Sequence, residues 1–420
     1  MITLPTPSRE LLPANLPLSF QEWRSRLDSQ HVPAVIGIAG SRGKTTVIRM
    51  VEAIFRESAL RTAVWTDQGI EVNGRRQRGE LVPWSRALER LGDNSLDVAI
   101  QELDWSLVHA VGLPPRSYPV VAITNLCVNS DSCMVRTESL LADRALPKLR
   151  AAARHDGVIV LNGEDFSVAD RTEAIASTPI LVGLSKDTPL VRKHLQHGGT
   201  AAWTTRQELR LGTVATSGPL GSVVDLPFAL HGAIGFQVHN ALMAAAIARS
   251  CGIPGTTIAA ALAKFEMSPA AMPGSFNVLS IGDAIVVVDR PVPSWFLRTP
   301  LRGIFHLLPG HRLITIAGKL EAVPDDDLVE TGRLLGRAGG ALVLHGSTER
   351  PERTALLRQG AAANEVPPVV IHVGTERQAI SRALRMLRPD DLAYVLADQP
   401  AMVLRALERA QLRIRTPVSA

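Results

Sequence analysis

The stretch that most constrains this chain is VIGIAGSRGKTTVIRM, residues 35–50. Its apolar start reads as a buried strand, and residues 46–55 carry apolar side chains at helical spacing. Glycines at such a junction let backbone N–H groups approach an anion, and the helix N-terminus adds a partial positive charge. Lys44 is placed to reach β- and γ-phosphates, and the Thr45 hydroxyl to hold Mg²⁺. The spacing departs from the usual P-loop: Gly40 and Gly43 have only two residues between them, and Ile38 stands where the longer motif has glycine. A plain strand-to-helix turn with a solvated lysine is the alternative, but it does not account for strand, glycines, lysine, threonine and helix arriving in this order. The sequence therefore marks Gly40, Ser41, Arg42, Gly43, Lys44, Thr45 and Thr46 as a candidate nucleotide cradle.

Around this loop the chain alternates short apolar runs with amphipathic stretches. Strands are expected at 33–39, 61–66, 97–102, 118–124, 157–161 and 179–183, and helices near 44–57, 137–153 and 165–172. That alternation implies an α/β fold with a parallel sheet flanked by helices. Residues 200–230 read instead as short antiparallel strands, followed by an alanine-rich helix from Val238 to Cys251 and a second at 255–265. The proline-rich DRPVPSWFLRTP then reads as a linker, after which the alternation restarts. The expected domains are an extension at 1–32, a P-loop ATP-binding domain at 33–297 and a smaller Rossmann-like domain at 298–420.

Composition narrows the function. A net charge of +5 without a lysine-arginine block, and 4% aromatic residues, argue against a dedicated nucleic-acid surface. Cys127, Cys133 and Cys251 have neither disulfide-framework nor metal-site spacing. No signal peptide and no long apolar run are evident, so a cytoplasmic protein without membrane contact is expected. The segments DVAIQELDWS and PVVAITNL end strands in Glu102 and in Thr124-Asn125. Ligands gather at the carboxyl ends of the strands of an open parallel sheet, so both segments point at the edge that holds the loop. There Glu102 can complete a magnesium site with Thr45 and phosphate oxygens.

At this point the chain resembles the Mur ligase superfamily. GSRGKTT is similar to its shortened P-loop, particularly to that of the poly-γ-glutamate synthases. ELDWS, AITNL, VIVLNGEDFSVAD, HNALMAAAIARSCGI, MPGSFNV and IVVVD resemble its later motifs in order, and residues 325–361 are most similar to the Mur-like half of cyanophycin synthetases. The resemblance implies a Mur-type central domain followed by a Rossmann-like domain, with ATP and Mg²⁺ as cofactors. It also implies the chemistry: a carboxylate attacks the γ-phosphate, and an amino acid or amine then displaces phosphate from the resulting acyl phosphate. Asn240 and Asp289 join the cofactor-binding residues on this ground, Thr45 and Glu102 are the metal ligands, and Lys44 and Glu102 are catalytic.

Several positions differ from the family. Asn129 and Ser130 stand where Asp-His is usual, Ser275 replaces an arginine, and Arg144 falls near a lysine that is carbamylated in many members. A second magnesium is therefore expected to be weak or absent, with Arg144 as a third catalytic residue stabilising phosphoryl charge in its place. With 1–32 read as an extension, no nucleotide-sugar-binding domain is expected. The reading is an ATP-dependent amide ligase building an amino-acid polymer or small peptide conjugate. The alternative is a nucleotide-binding regulatory or scaffolding subunit without ligase activity. Both leave open a homo-oligomer or a partner enzyme.

Overall fold

The computed structural model describes residues 19–26, 34–66, 69–77, 96–126, 136–165, 168, 178–307, 310–321, 323–337, 339–346 and 349–415. They form two compact units, each built on its own sheet. Of the expected extension at 1–32, the described part is a short helix, α1 (Phe20–Arg26), whose Phe20 ring meets Phe55 edge to face at 6.3 Å.

The first unit carries eleven strands: β1 (Ala34–Ala39), β2 (Thr62–Thr66), β3 (Gly69–Val72), β4 (Arg75–Arg76), β5 (Val98–Leu103), β6 (Tyr118–Ile123), β7 (Ala153–Asn162), β8 (Thr178–Val182), β9 (Thr200–Thr205), β10 (Glu208–Gly212) and β11 (Ser217–Ser222). Their order is β11-β10-β9-β8-β7-β6-β1-β5-β2-β3-β4. From β9 to β2 all neighbours run parallel, while β10 and β11 at one end and β3 and β4 at the other are antiparallel. Every residue of β1 is buried, as a central strand covered on both faces requires. The helices are α2 (Lys44–Glu57), α3 (Trp105–Val111), α4 (Arg136–Ala152), α5 (Pro189–Gln196), α6 (Gly235–Ser250), whose last fourteen residues lie in this unit, and α7 (Gly255–Lys264). Along α2, Val47, Ile48, Met50, Val51, Ile54 and Phe55 are buried, so its apolar stripe faces the sheet. The helix expected at 165–172 falls almost wholly outside the described residues.

The second unit holds β12 (Asn277–Ile281), β13 (Ala284–Asp289), β14 (Leu313–Ala317), β15 (Ala341–His345), β16 (Val369–Val373) and β17 (Leu392–Leu396), ordered β12-β13-β17-β14-β15-β16. All pairs are parallel except the hairpin β12–β13. Helices α8 (Ser294–Leu307), α9 (Leu328–Gly336), α10 (Pro351–Ala362), α11 (Glu376–Met386) and α12 (Pro400–Arg415) alternate with the strands. Leu297, Leu334 and Leu357 fill one core with the sheet, and Ile380, Val403 and Leu404 another. Helices on both faces of a mostly parallel sheet make this a doubly wound, Rossmann-like unit.

The expected boundary at 297/298 falls inside this unit, because β13 pairs with β17 and brings its hairpin partner β12 with it. The expected linker is largely the helix α8. Its Leu297, Leu301 and Ile304 are buried at helical spacing, although Pro300 lies within the helix. Ser294 at its start donates both its N–H and its hydroxyl to Asp327, at 2.7 and 2.6 Å. Among the described residues no helix is long and apolar enough to cross a membrane.

Candidate active site

The site is assembled by strand order. Because β5 and β6 flank β1, Ala39 is level with Leu103 on one side and with Ile123 on the other. Three strand ends therefore open onto the same edge, and the residues that follow them, Gly40, Asp104 and Thr124, meet there.

Gly40 has φ +138° and Gly43 φ +80°, both in the region that side chains disfavour. A Cβ on Gly40 would stand 2.0 Å from the Thr124 hydroxyl oxygen, and one on Gly43 would stand 2.8 Å from Asn240 Oδ1. Both glycines are thus required by conformation and by space. The loop is held by the end of β6. Ser41 N–H and Arg42 N–H donate to Asn125 Oδ1 at 3.1 and 2.9 Å, and Thr124 Oγ1 donates to Arg42 O at 2.5 Å. Trp105 Nε1 donates to Ser41 Oγ at 3.4 Å, and Asn240 Nδ2 donates to Gln237 Oε1 at 3.1 Å.

Beyond Gly43 the chain enters α2, so the amides of Lys44, Thr45 and Thr46 lie in the first turn, where no intrahelical acceptor exists. Lys44 Nζ donates to Gly40 O at 2.8 Å and lies 3.7 Å from Glu102 Oε1. Thr45 Oγ1 donates to Glu102 Oε2 at 3.1 Å. Lys44 and Glu102 are both largely shielded from solvent, so their charges interact more strongly than a surface pair. Asp104 caps α3 by accepting from Ser106 N at 2.9 Å. Burial raises its pKa, but hydrogen bonds from Ser106 and the nearby Lys44 charge prevail and hold it below the ordinary carboxylate value. His239 on α6 is buried, and burial pushes its pKa below the ordinary value.

The structure thus brings together Gly40, Ser41, Arg42, Gly43, Lys44, Thr45, Thr46, Glu102 and Asn240. Arg144 is exposed on α4, and among the described residues no hydrogen bond or ion pair joins it to the loop. Asp289 closes β13 in the second unit, where its buried carboxylate accepts from Tyr394 OH at 3.0 Å. Asn129 and Ser130 lie outside the described residues. The sequence reading noticed Thr124-Asn125 as a strand end but not as the clamp of the loop. Their position two residues past a buried strand, beside the glycines, was the available signal.

A cradle that any Cβ would fill, first-turn amides, a lysine, and a hydroxyl beside a carboxylate suit a nucleotide phosphate with a hard cation. Lys44 and the α2 amides would hold the phosphates, and Thr45 with Glu102 the metal.

No family model matches the chain. A cyanophycin synthetase of Trichormus variabilis is 23% identical over 393 residues, which are 90% of this chain and 42% of that protein. The chain therefore spans less than half the length of this curated relative. Among solved structures, MurF from Acinetobacter baumannii superposes with a TM-score of 0.63 at 16% identity, covering 93% of this chain and 80% of that one. A bifunctional folylpolyglutamate synthase/dihydrofolate synthase from Yersinia pestis, complexed with AMPPNP and Mn ion, gives 0.62 at 16% identity, covering 95% and 96%. These proteins are all of the Mur ligase superfamily, which the motifs resemble, and the fold is that superfamily's.

Proposed function

We propose that the chain is an ATP-dependent, ADP-forming carboxylate–amine ligase. The observation that carries this reading is the convergence of Lys44, Thr45 and Glu102 on one glycine loop at the ends of three adjacent parallel strands. The relatives support it as ligases of the same superfamily. In this reading a carboxylate substrate attacks the γ-phosphate of ATP, ADP leaves, and an amino acid or other amine attacks the acyl carbon and releases phosphate.

The chain's own part is electrostatic. Lys44 and the first-turn amides of α2 stabilise charge that grows on the transferring phosphoryl group. Gly40 and Gly43 let the backbone approach it, while Asn125 and Thr124 keep the loop in shape before the nucleotide arrives. A magnesium ion held by Thr45 and Glu102 would supply further positive charge against the phosphate oxygens. The substrate class we infer is an amino acid or short peptide, handled in the cytoplasm where ATP is abundant.

The test is ADP release by the full chain with Mg-ATP and panels of carboxylic acids and amino acids, alone and paired. Turnover that requires both an acid and an amine is the expected result. Nucleotide binding without turnover for any pair would favour a regulatory or scaffolding subunit, and ATP hydrolysis indifferent to both would indicate a plain ATPase.

A further inference from the structure

In the second unit an open groove of about 690 Å³ runs between β16 and α11. Ile371, His372 and Val373 line it from the strand, and Arg377, Arg382 and Arg385 from the helix. No carboxylate lines it. Among the described residues none of the three guanidiniums has a hydrogen-bond or ion-pair partner, as is true of several other exposed arginines of the unit, among them Arg302, Arg337 and Arg358; what sets the three apart is that they line one groove. Arg382 and Arg385, three residues apart, repel each other weakly, and with Arg377 they give the groove a positive lining complementary to an anionic occupant.

The strand contributes a second chemistry. β16 ends the sheet, bonded to β15 alone. Val369 N–H donates to Gly340 O at 2.9 Å, so residues 369, 371 and 373 face β15 in the parallel ladder. Val370 and His372 then turn their N–H and C=O groups to the open side. Edge strands are usually protected by lysine, proline or a bulge, yet VVIHV has none of these, and Val369 is 66% exposed. The edge is therefore competent to pair with another strand.

We propose that the groove binds an extended acidic peptide, which adds to β16 as a further strand and sets carboxylates against Arg377, Arg382 and Arg385. One spacing agrees: five helical residues from Arg377 to Arg382 rise about 7.5 Å, close to the ~6.6 Å between alternate residues of a strand, while Arg385, about 4.5 Å further along, falls between successive carboxylates. A second copy of this chain is a poorer occupant, since edge-to-edge pairing would bring two sets of three arginines face to face. Nucleic acid is poorer too, because His372 is the single ring among the lining residues, too few to stack successive bases. No residue of the phosphate loop lines the groove, and peptide binding is measured without ATP, so its failure leaves the proposed ligase activity standing.

The probe is a fluorescein-labelled peptide of alternating glutamate and threonine, titrated with the full chain and followed by anisotropy. Saturable binding is expected, with Arg382→Ala and Arg385→Ala each weakening it about tenfold, the loss of one charge-assisted hydrogen bond. All three arginines are exposed, so these variants keep the unfolding temperature of the wild type. The same peptide with alternate amides N-methylated loses strand pairing but no charge, and it should bind at least about tenfold more weakly if two or more ladder bonds contribute. Equal affinity for the N-methylated peptide would overturn strand addition. Equal affinity for oligouridylate would replace the peptide with a general polyanion, and absence of saturable binding, or sedimentation showing β16-mediated dimers instead, would end the proposal.

Discussion

Replacing Asn125 by alanine tests whether the phosphate loop is held in shape by the end of β6. The variant loses the bonds from Ser41 N–H at 3.1 Å and Arg42 N–H at 2.9 Å to Oδ1, and the longer one from Nδ2 to Arg42 O at 3.3 Å. The backbone bond from Ser41 N–H to Asn125 O, at 3.2 Å, and the Thr124–Arg42 bond remain, so the loop loosens rather than unfolds. At about 1 kcal/mol net for each of the two shorter bonds, the ordered loop is destabilised by about 2 kcal/mol. A nucleotide that binds only the ordered loop must supply that energy again, which is a fall in affinity of about thirtyfold. Titration calorimetry with ADP and Mg²⁺, well below the unfolding temperature, measures it directly. Asn125→Asp separates shape from charge: it keeps both acceptor positions but adds a negative charge, so its weaker binding should be partly relieved by salt. An Asn125→Ala variant that binds nucleotide as tightly as the wild type would refute the clamp.

The remaining expectations concern the metal, acid stability and one buried arginine. Glu102→Gln should weaken the metal-dependent part of nucleotide affinity and leave metal-free binding nearly unchanged; equal losses in both titrations would show that Glu102 is not a metal ligand. Glu71 accepts from Arg49 at 2.7 and 2.6 Å, and that bond outweighs burial to hold its pKa below the ordinary 4.5. The stability it contributes is full above that value and is lost as pH falls through the lower folded value, so Glu71→Gln should flatten the acid limb of a urea-denaturation profile. An unchanged acid limb would discount the pair. Arg353 at the start of α10 pairs with Asp325 and donates to Lys319 O, Leu320 O and Val323 O at 3.0, 2.8 and 2.6 Å. Arg353→Met should cost about 3 kcal/mol in urea denaturation by stranding those carbonyls, and a variant as stable as the wild type would show that water replaces the guanidinium there.

Local pattern determined much of this molecule. Apolar runs fully buried in β1 and β6, and the stripe along α2, are properties of neighbouring residues, so period and glycine placement reveal them before any packing is known. The cradle from Gly40 to Thr46 was legible for the same reason, since strand, loop and helix are consecutive. What tertiary structure decided is which distant segments adjoin. That β5 and β6 flank β1, so that Glu102 meets Thr45 and Asn125 clamps Ser41 and Arg42, follows from strand order, and strand order depends on packing between residues more than fifty positions apart. The same cause joins β12 and β13 to the second sheet, and it makes a helix of the proline-rich stretch once Leu297, Leu301 and Ile304 have a core to enter. Arg353 and Arg385 show the limit most plainly. Both are arginines on helices, yet one is buried among carbonyls and the other lines an open groove, because burial belongs to the surface an element meets and not to the element itself.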